Sequence, residues 1–203
     1  MSCNRPLVLA ALLALALPAA AQHHGDVPPV EGVSEMFVVE GLRVDPDSLP
    51  PGSGVGRAGL RFDDGGYVSV TYGKPYTRGR QVFGGIVGYD QVWVTGAHRA
   101  TEIVTTVPLF IGGTTLAPGV YALFTTPRRD RWTVHLNRSV GMHLADDYDR
   151  TQDVTRVEVV PETLDERVDG LTMAFVTSAP MTGLGLRIAW DDTAVTLPLR
   201  RAE

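Results

Sequence analysis

The sequence predicts an all-β protein, an antiparallel β-sandwich of jelly-roll-like type that follows an irregular N-terminal arm. Three observations favour this fold class. Short segments rich in β-branched and aromatic residues recur along the chain. The 22 Gly and 14 Pro residues separate these segments in the way that turns do. No long stretch has the 3.6-residue periodicity of an amphipathic helix. Short strands of this number, joined by turns, are typical of sandwiches.

The first 21 residues are typical of a signal peptide. Arg5 precedes an apolar stretch at Leu7–Leu17, and Ala19–Ala21 provides a cleavage site of small residues. The apolar stretch has about 11 residues, whereas a membrane-spanning helix needs about 20. We therefore expect cleavage before Gln22 and an exported protein, periplasmic or extracellular, that does not span the membrane.

The remaining chain divides into an arm and one domain. Residues 22–56 are rich in Pro, Gly and acidic side chains, which predicts an extended arm with one possible strand at Met36–Val44. In residues 57–203, segments predicted to be strands alternate with turn residues throughout. This length is enough for a single domain with its own core.

Two hairpins are the clearest local predictions. Arg57–Phe62 and Tyr67–Tyr72 flank a turn with two glycines, and Gly119–Thr126 and Arg131–Asn137 flank a second turn at Pro127–Asp130. Further strands are predicted at Thr101–Val107, Asp153–Val160, Leu171–Thr177, Leu184–Trp190 and Ala194–Leu199, with Asp191–Asp192 as a tight turn between the last two. At most one short helix is expected, within Arg138–Asp149 or Glu162–Val168.

Composition excludes several classes of function. Cys3 is the single cysteine and lies before the apolar stretch, so the processed domain has no disulfide, thiolate metal site or cysteine nucleophile. The formal net charge is -5 and no block of Lys or Arg occurs, which disfavours nucleic-acid binding. The sequence has neither a nucleophile-elbow motif nor a nucleotide-binding glycine motif, and it predicts no cofactor.

The most unusual segment is a Gly- and aromatic-rich stretch around residues 74–102. Its glycines and basic residues predict either a long loop pinned by buried aromatic rings, or a loop-built pocket for an anionic or polar ligand. The candidate ligand-binding residues are Tyr76, Arg80, Trp93, His98 and Glu102.

His98 and Glu102 also raise the question of a metal site. On an extended strand, residues four apart point to the same face, so the two side chains could share a ligand. A metal would need a third ligand, from His135 or His143. Two ligands are too few, and we predict a surface contact between His98 and Glu102 and no metal.

Several segments resemble the DUF2911 family of exported bacterial proteins. Tyr72–Pro75 and Arg78–Arg80 are similar to the family's Tyr-x-Arg-Pro and Lys-Gly-Arg sequences, Phe83–Val87 and Val92–Ala97 to its glycine–tryptophan core, and Leu116–Tyr121 to its hairpin. The chain departs from the family pattern at Gly88, Val94 and His98, where the family usually has Pro, Arg and Asn. The resemblance covers roughly residues 60 to 200 and implies the β fold and export, but no reaction.

These observations favour a non-catalytic binding module for a small polar ligand, a glycan or a protein partner. The absence of a catalytic motif and the long Gly/aromatic segment support this interpretation. The alternative is a hydrolase-type or metal-assisted enzyme that uses Tyr76, Arg80, His98 and Glu102. Convergence of those side chains in one cleft would favour the enzyme, and their separation would favour the binding module.

Overall fold

The computed structural model describes residues 30–40, 52–178 and 183–203. The predicted signal peptide, residues 1–21, lies outside these ranges, as do residues 41–44 of the possible strand in the arm. The described strands are β1 Val33–Glu40, β2 Gly54–Phe62, β3 Tyr67–Lys74, β4 Thr101–Thr105, β5 Leu109–Ile111, β6 Thr114–Leu116, β7 Gly119–Pro127, β8 Trp132–Asn137, β9 Asp153–Val159, β10 Glu162–Ser178 and β11 Gly183–Arg201. A single 3-10 turn occupies Arg150–Gln152.

The strands form two antiparallel sheets. A seven-stranded sheet has the order β1-β2-β3-β4-β7-β8-β9, and a four-stranded sheet has the order β10-β11-β5-β6. The β-sandwich prediction is therefore confirmed. The possible strand in the arm is present as β1, which pairs with β2 and forms one edge of the larger sheet.

The core lies between the two sheets because each strand turns one apolar face inward. Leu60, Val70 and Leu123 from the larger sheet belong to the same buried cluster as Met173 and Leu186 from the smaller sheet. Such burial is the main stabilising term for a domain of this kind. A hydrogen bond also joins the two sheets, because the backbone N–H of Met173 donates to the hydroxyl of Tyr72 at 3.0 Å.

Most predicted strands are confirmed within one to three residues at their ends. The prediction of a tight turn at Asp191–Asp192 is wrong, because β11 runs through both residues without reversing. The chain bends there instead. Asp191 has a positive φ of 59°, and the pairing with β10 shifts register between Thr163 and Val168. An aspartate tolerates this left-handed conformation, and a bulge absorbs the extra residues of β10.

The expected short helix is also absent from the described residues. Glu162–Val168 lies within strand β10. The other candidate, Arg138–Asp149, has no α-helical turn. No helix in the described part of the chain has the length and apolar character needed to cross a bilayer.

Two long connections lie within the described residues. The β3–β4 loop, residues 75–100, contains the Gly/aromatic segment. The segment 138–152, here called the strap, joins β8 to β9. The strap lies on the outer face of the larger sheet, where Met142, Ala145 and Tyr148 pack against Ala122 and Phe124.

Candidate functional site

A cleft of about 220 Å³ lies where the two sheets meet at one end of the sandwich. The larger sheet provides the β7–β8 turn and the first residue of β8, and the smaller sheet provides the start of β10 and the middle of β11. The β3–β4 loop closes one side. The lining residues are Phe83, Tyr89, Arg128, Arg129, Trp132, Pro161, Glu162, Thr163, Asp192 and Thr193.

The base of the cleft is a cluster of aromatic rings held by the core. Phe83 packs edge-to-face on Trp132 with ring centroids 4.7 Å apart and planes at 63°. Phe83 is 7% exposed and Trp132 is 2% exposed, so packing holds both rings in place. Behind them, Trp93 stacks on Trp190 at 5.7 Å. The base of the cleft is therefore preformed.

The β3–β4 loop is shaped by glycine at the point where it enters the cleft. Gly84 has a positive φ of 80°, and a Cβ added there would lie 2.7 Å from the Tyr89 ring. Both constraints exclude larger residues. The backbone N–H of Gly84 donates to the carbonyl of Val87 at 2.8 Å. This short turn places Tyr89 at the rim of the cleft.

The rim carries two charged side chains without an ion-pair partner among the described residues. Arg128 is paired with Asp90 at 2.6 Å, and Glu162 is paired with Arg187. The Arg129 guanidinium instead lies over the Tyr89 ring, 4.8 Å from its centroid. Asp192 accepts a hydrogen bond from Thr193 Oγ1 at 2.8 Å. A guanidinium and a carboxylate are thus open to a ligand in one cleft.

The five residues singled out from the sequence lie elsewhere and do not line this cleft. Tyr76 is 7% exposed, and its backbone forms a β-bridge with Gly170 of β10. The Arg80 guanidinium donates to the carbonyls of Thr77 at 3.0 Å and Tyr76 at 3.2 Å. Trp93 belongs to the aromatic cluster behind the cleft, and its indole N–H donates to the carbonyl of Gly96 at 3.0 Å. Each of these contacts fixes the loop.

His98 and Glu102 lie at the strap. The His98 ring is exposed and stacks on the His143 ring, with centroids 6.2 Å apart. Glu102 Oε1 accepts a hydrogen bond from the backbone N–H of Gly141 at 2.8 Å. The structure therefore brings Tyr76 to Arg80, and brings His98 and Glu102 to the strap, but it does not join the two pairs. Within the described ranges, no three His, Asp or Glu side chains are grouped as metal ligands.

Comparison with known protein families matches residues 60–199 to the family described as "Protein of unknown function (DUF2911)". The match spans more than half of the 203 residues. The chain belongs to the DUF2911 family. Searches of curated proteins and of solved structures found no match. The DUF2911 match includes every residue that lines the cleft, whereas strand β1 precedes it.

A buried polar network forms the second notable feature of the DUF2911 domain. Its centre is Asp153, whose side chain is 2% exposed and accepts four hydrogen bonds. The donors are Tyr148 Oη at 2.6 Å, Arg156 Nε at 2.6 Å, Asn137 Nδ2 at 2.8 Å and His135 Nδ1 at 3.2 Å. Burial acts to raise the pKa of Asp153, but these hydrogen bonds outweigh it and hold the pKa below its ordinary value.

His135 is held neutral by the same surroundings. Burial lowers the pKa of His135 below its usual value, and Asp153 opposes the shift only in part. Nδ1–H therefore donates to Asp153, and Nε2 accepts from Thr126 Oγ1 at 2.9 Å. Burial and the bond to Asp153 raise the pKa of the Tyr148 hydroxyl, which stays protonated.

The order hydroxyl, imidazole, carboxylate is that of a catalytic triad, but the hydroxyl is not accessible. Thr126 is 7% exposed, and its hydroxyl is bonded to the buried His135 ring. A nucleophile must reach its substrate, so a buried threonine hydroxyl does not serve as one. The chain of hydrogen bonds instead fastens the strap to β7, β8 and β9.

Sequence reasoning missed both the cleft and the network. Arg128–Arg129 and Asp191–Asp192 are visible in the sequence as charged pairs, but only the packing of the two sheets brings Arg128, Arg129 and Asp192 to one cleft. His135 and Asn137 share a face of β8 by period two, which the sequence does show. That shared face was the one available signal for the network, since the strap that covers it has no periodicity.

Proposed function

We propose that this DUF2911 protein is a non-catalytic binding module whose cleft takes one small polar ligand. One observation carries the proposal. Arg129 and Asp192 both line the cleft above its rigid aromatic base, and neither has an ion-pair partner among the described residues. Binding sites typically combine apolar or aromatic walls with a few convergent polar groups that fix orientation. The cleft has both.

The size of the cleft limits the ligand. Its volume of about 220 Å³ is below the roughly 300 Å³ at which clefts for drug-sized ligands begin. A single sugar ring or an amino acid is the size that fits, and a longer glycan would enter by one terminal unit. The guanidinium offers donors to a carboxylate or hydroxyl group, and Asp192 offers acceptors to an amine or hydroxyl group.

The separation of the candidate catalytic residues supports binding over catalysis. The alternative enzyme requires Tyr76, Arg80, His98 and Glu102 to converge. Tyr76 is buried beside β10, Arg80 is used by the loop backbone, and the other two lie at the strap. Within the cleft, the Glu162 carboxylate is already ion-paired with Arg187.

Export is part of the proposal and has its own support in the sequence. Arg5, the apolar stretch Leu7–Leu17 and the small residues Ala19–Ala21 are typical of a cleaved leader. A binding module placed outside the cytoplasm would meet free sugars and amino acids from the surroundings. N-terminal sequencing of the protein from a periplasmic or culture fraction should begin at or within one residue of Gln22.

A ligand screen with matched variants tests the proposal. Wild-type protein is incubated with neutral monosaccharides, amino acids and small carboxylic acids, and the melting temperature is compared with the ligand-free value. A ligand at about 100 times its dissociation constant stabilises the folded state by about 2.7 kcal/mol, which thermal denaturation detects. Isothermal titration calorimetry then gives the affinity.

The variants locate the binding to the cleft. Arg129→Gln and Asp192→Asn should each weaken the ligand at least tenfold, because each removes one charged contact. Arg131→Gln is the matched control, since Arg131 lies beside the same turn but bonds with Asp130 and Glu158 outside the cleft. The proposal fails if no compound stabilises the wild type, or if a compound that does so binds both cleft variants with unchanged affinity.

A further inference from the structure

All three histidines of the described residues meet at the strap. His135 lies beneath it on β8, His98 contacts it from the β3–β4 loop, and His143 is part of it. The remaining two of the chain's five histidines, His23 and His24, lie outside the described residues. Histidine is the side chain whose charge ordinarily changes between about pH 5 and pH 8. The three described histidines thus lie in or against one short segment, the strap.

One end of the strap is fastened by His135. The neutral ring donates to Asp153 and accepts from Thr126, while Tyr148 of the strap bonds to both Asp153 and the ring. His135 is 7% exposed, so a positive charge there would be largely desolvated. Arg150 of the strap and Arg156 of β9 oppose that charge, and Asp153 is the carboxylate that favours it.

The other end is fastened by backbone contacts around His98 and His143. The N–H of Leu144 donates to the carbonyl of His98 at 2.7 Å, and Arg99 and His143 form a β-bridge. The two imidazole rings lie 6.2 Å apart between centroids. Arg99 lies at the same contact. Glu102 is the carboxylate on the facing strand, and it already accepts from Gly141.

Little apolar contact opposes release of the strap. Its packing side chains, Met142, Ala145 and Tyr148, are only partly buried, and its regular structure is one 3-10 turn. Segments with few buried apolar contacts are the ones that open locally while the rest of a domain stays folded. The sandwich core lies on the opposite face of the sheet and does not depend on the strap.

We propose that the strap is a pH-operated latch, closed on the outer face of the sheet at neutral pH and released in mild acid while the sandwich remains folded. Protonation of His135, beneath the strap and bonded to Tyr148, operates the latch. Release uncovers Phe124 and Ala122, which the strap now covers. In an exported protein such a latch would respond to the acidity of the medium.

The direction of the pH dependence follows from His135. The pKa of His135 is lower with the strap closed than the ordinary value of 6.5, so the closed state binds this proton more weakly than the open state. Its contribution to closure is therefore complete above 6.5 and is lost as the pH falls below that value. Within that window each proton shifts the ratio of open to closed by up to roughly tenfold per pH unit.

Hydrogen exchange on the folded protein tests the latch. Protection factors, which correct for the intrinsic effect of pH on exchange, are measured at about pH 7 and about pH 5.5. The amides of Ala100 and Leu144 report on the strap, because they bond to Met142 and His98 respectively. Their protection should fall several-fold in acid, while that of Leu60 in β2 stays constant. Binding of an apolar dye in acid should rise in parallel.

Variants assign the effect to His135. His135→Gln should reduce the pH dependence. Met142→Ala is the control, since it should lower strap protection by the same factor at both pH values. The wild-type measurement stands alone if a variant does not fold. Equal protection of the strap at the two pH values, or a pH dependence unchanged in His135→Gln, would overturn the latch.

Discussion

Asp153→Ala is the most informative single change, because one buried carboxylate accepts four hydrogen bonds. The substitution leaves the Tyr148 hydroxyl and the His135 Nδ1–H without their acceptor, on a face of the sheet that the strap seals from water. It also frees Arg156, which bonds to the same oxygen at 2.6 Å. Asn137 keeps one of its bonds, to the carbonyl of Asp149 at 2.9 Å.

The expected loss is about 3–5 kcal/mol in the free energy of unfolding, the range found when one partner of a buried charged pair is removed. A separate estimate from the stranded groups agrees, because each buried donor without a partner costs about 1–3 kcal/mol. Since the pKa of Asp153 is held below its ordinary value of 3.8, this stabilisation is present above that pH and is lost as the pH falls below it.

Urea denaturation at neutral pH, followed by tryptophan fluorescence, measures the loss directly. Asp147→Ala is the matched control, because Asp147 is an exposed aspartate of the same strap. That control should stay within about 0.5 kcal/mol of the wild type. If Asp153→Ala were as stable as the control, the network would not fasten the strap, and the reasoning from buried hydrogen bonds would be refuted.

Two further predictions concern the β3–β4 loop. Gly73→Ala should destabilise the fold by about 1–3 kcal/mol in urea denaturation, because its Cβ would lie 2.2 Å from the carbonyl oxygen of Ala97. Gly119→Ala is the control and should be close to neutral, because its Cβ would have no neighbour nearer than 3.8 Å. Phe83→Ala should cost about 3–5 kcal/mol and lower the melting temperature by roughly 10 °C, because the ring is buried against the tryptophans; Ile86→Ala in the same loop, where the side chain is 42% exposed, should lower it far less.

The strands were predictable wherever local pattern and turn chemistry agreed. The β7–β8 hairpin follows from period-two alternation in β8 and from the turn residues after Pro127. The error at Asp191–Asp192 arose because two aspartates resemble a turn by composition. A bulge in the neighbouring strand β10 decided the outcome, and a bulge depends on pairing between strands that one strand's sequence does not reveal.

The site residues were harder to predict, because their roles depend on contacts between distant segments. Arginine is a common ligand-binding residue, but the Arg80 guanidinium donates to backbone carbonyls of its own loop. Arg129 and Asp192 both have the sequence context of turn residues, and the packing of two sheets brings them to one cleft. Period two places His135 on the polar face of β8, opposite Trp132, Val134 and Leu136. The composition of the strap does not predict that it covers this face.

Strand β7 has apolar side chains on both faces, since Tyr121 and Leu123 point to the main core and Ala122 and Phe124 point to the strap. If β7 shifted its register against β8 by one residue, it would still bury apolar side chains on both faces. Hydrophobicity alone therefore distinguishes poorly between the native register and one shifted by a residue. The bond from Thr126 to His135 forms only in the native alignment. A buried hydrogen bond thus specifies the register of β7 against β8, which the apolar side chains alone do not.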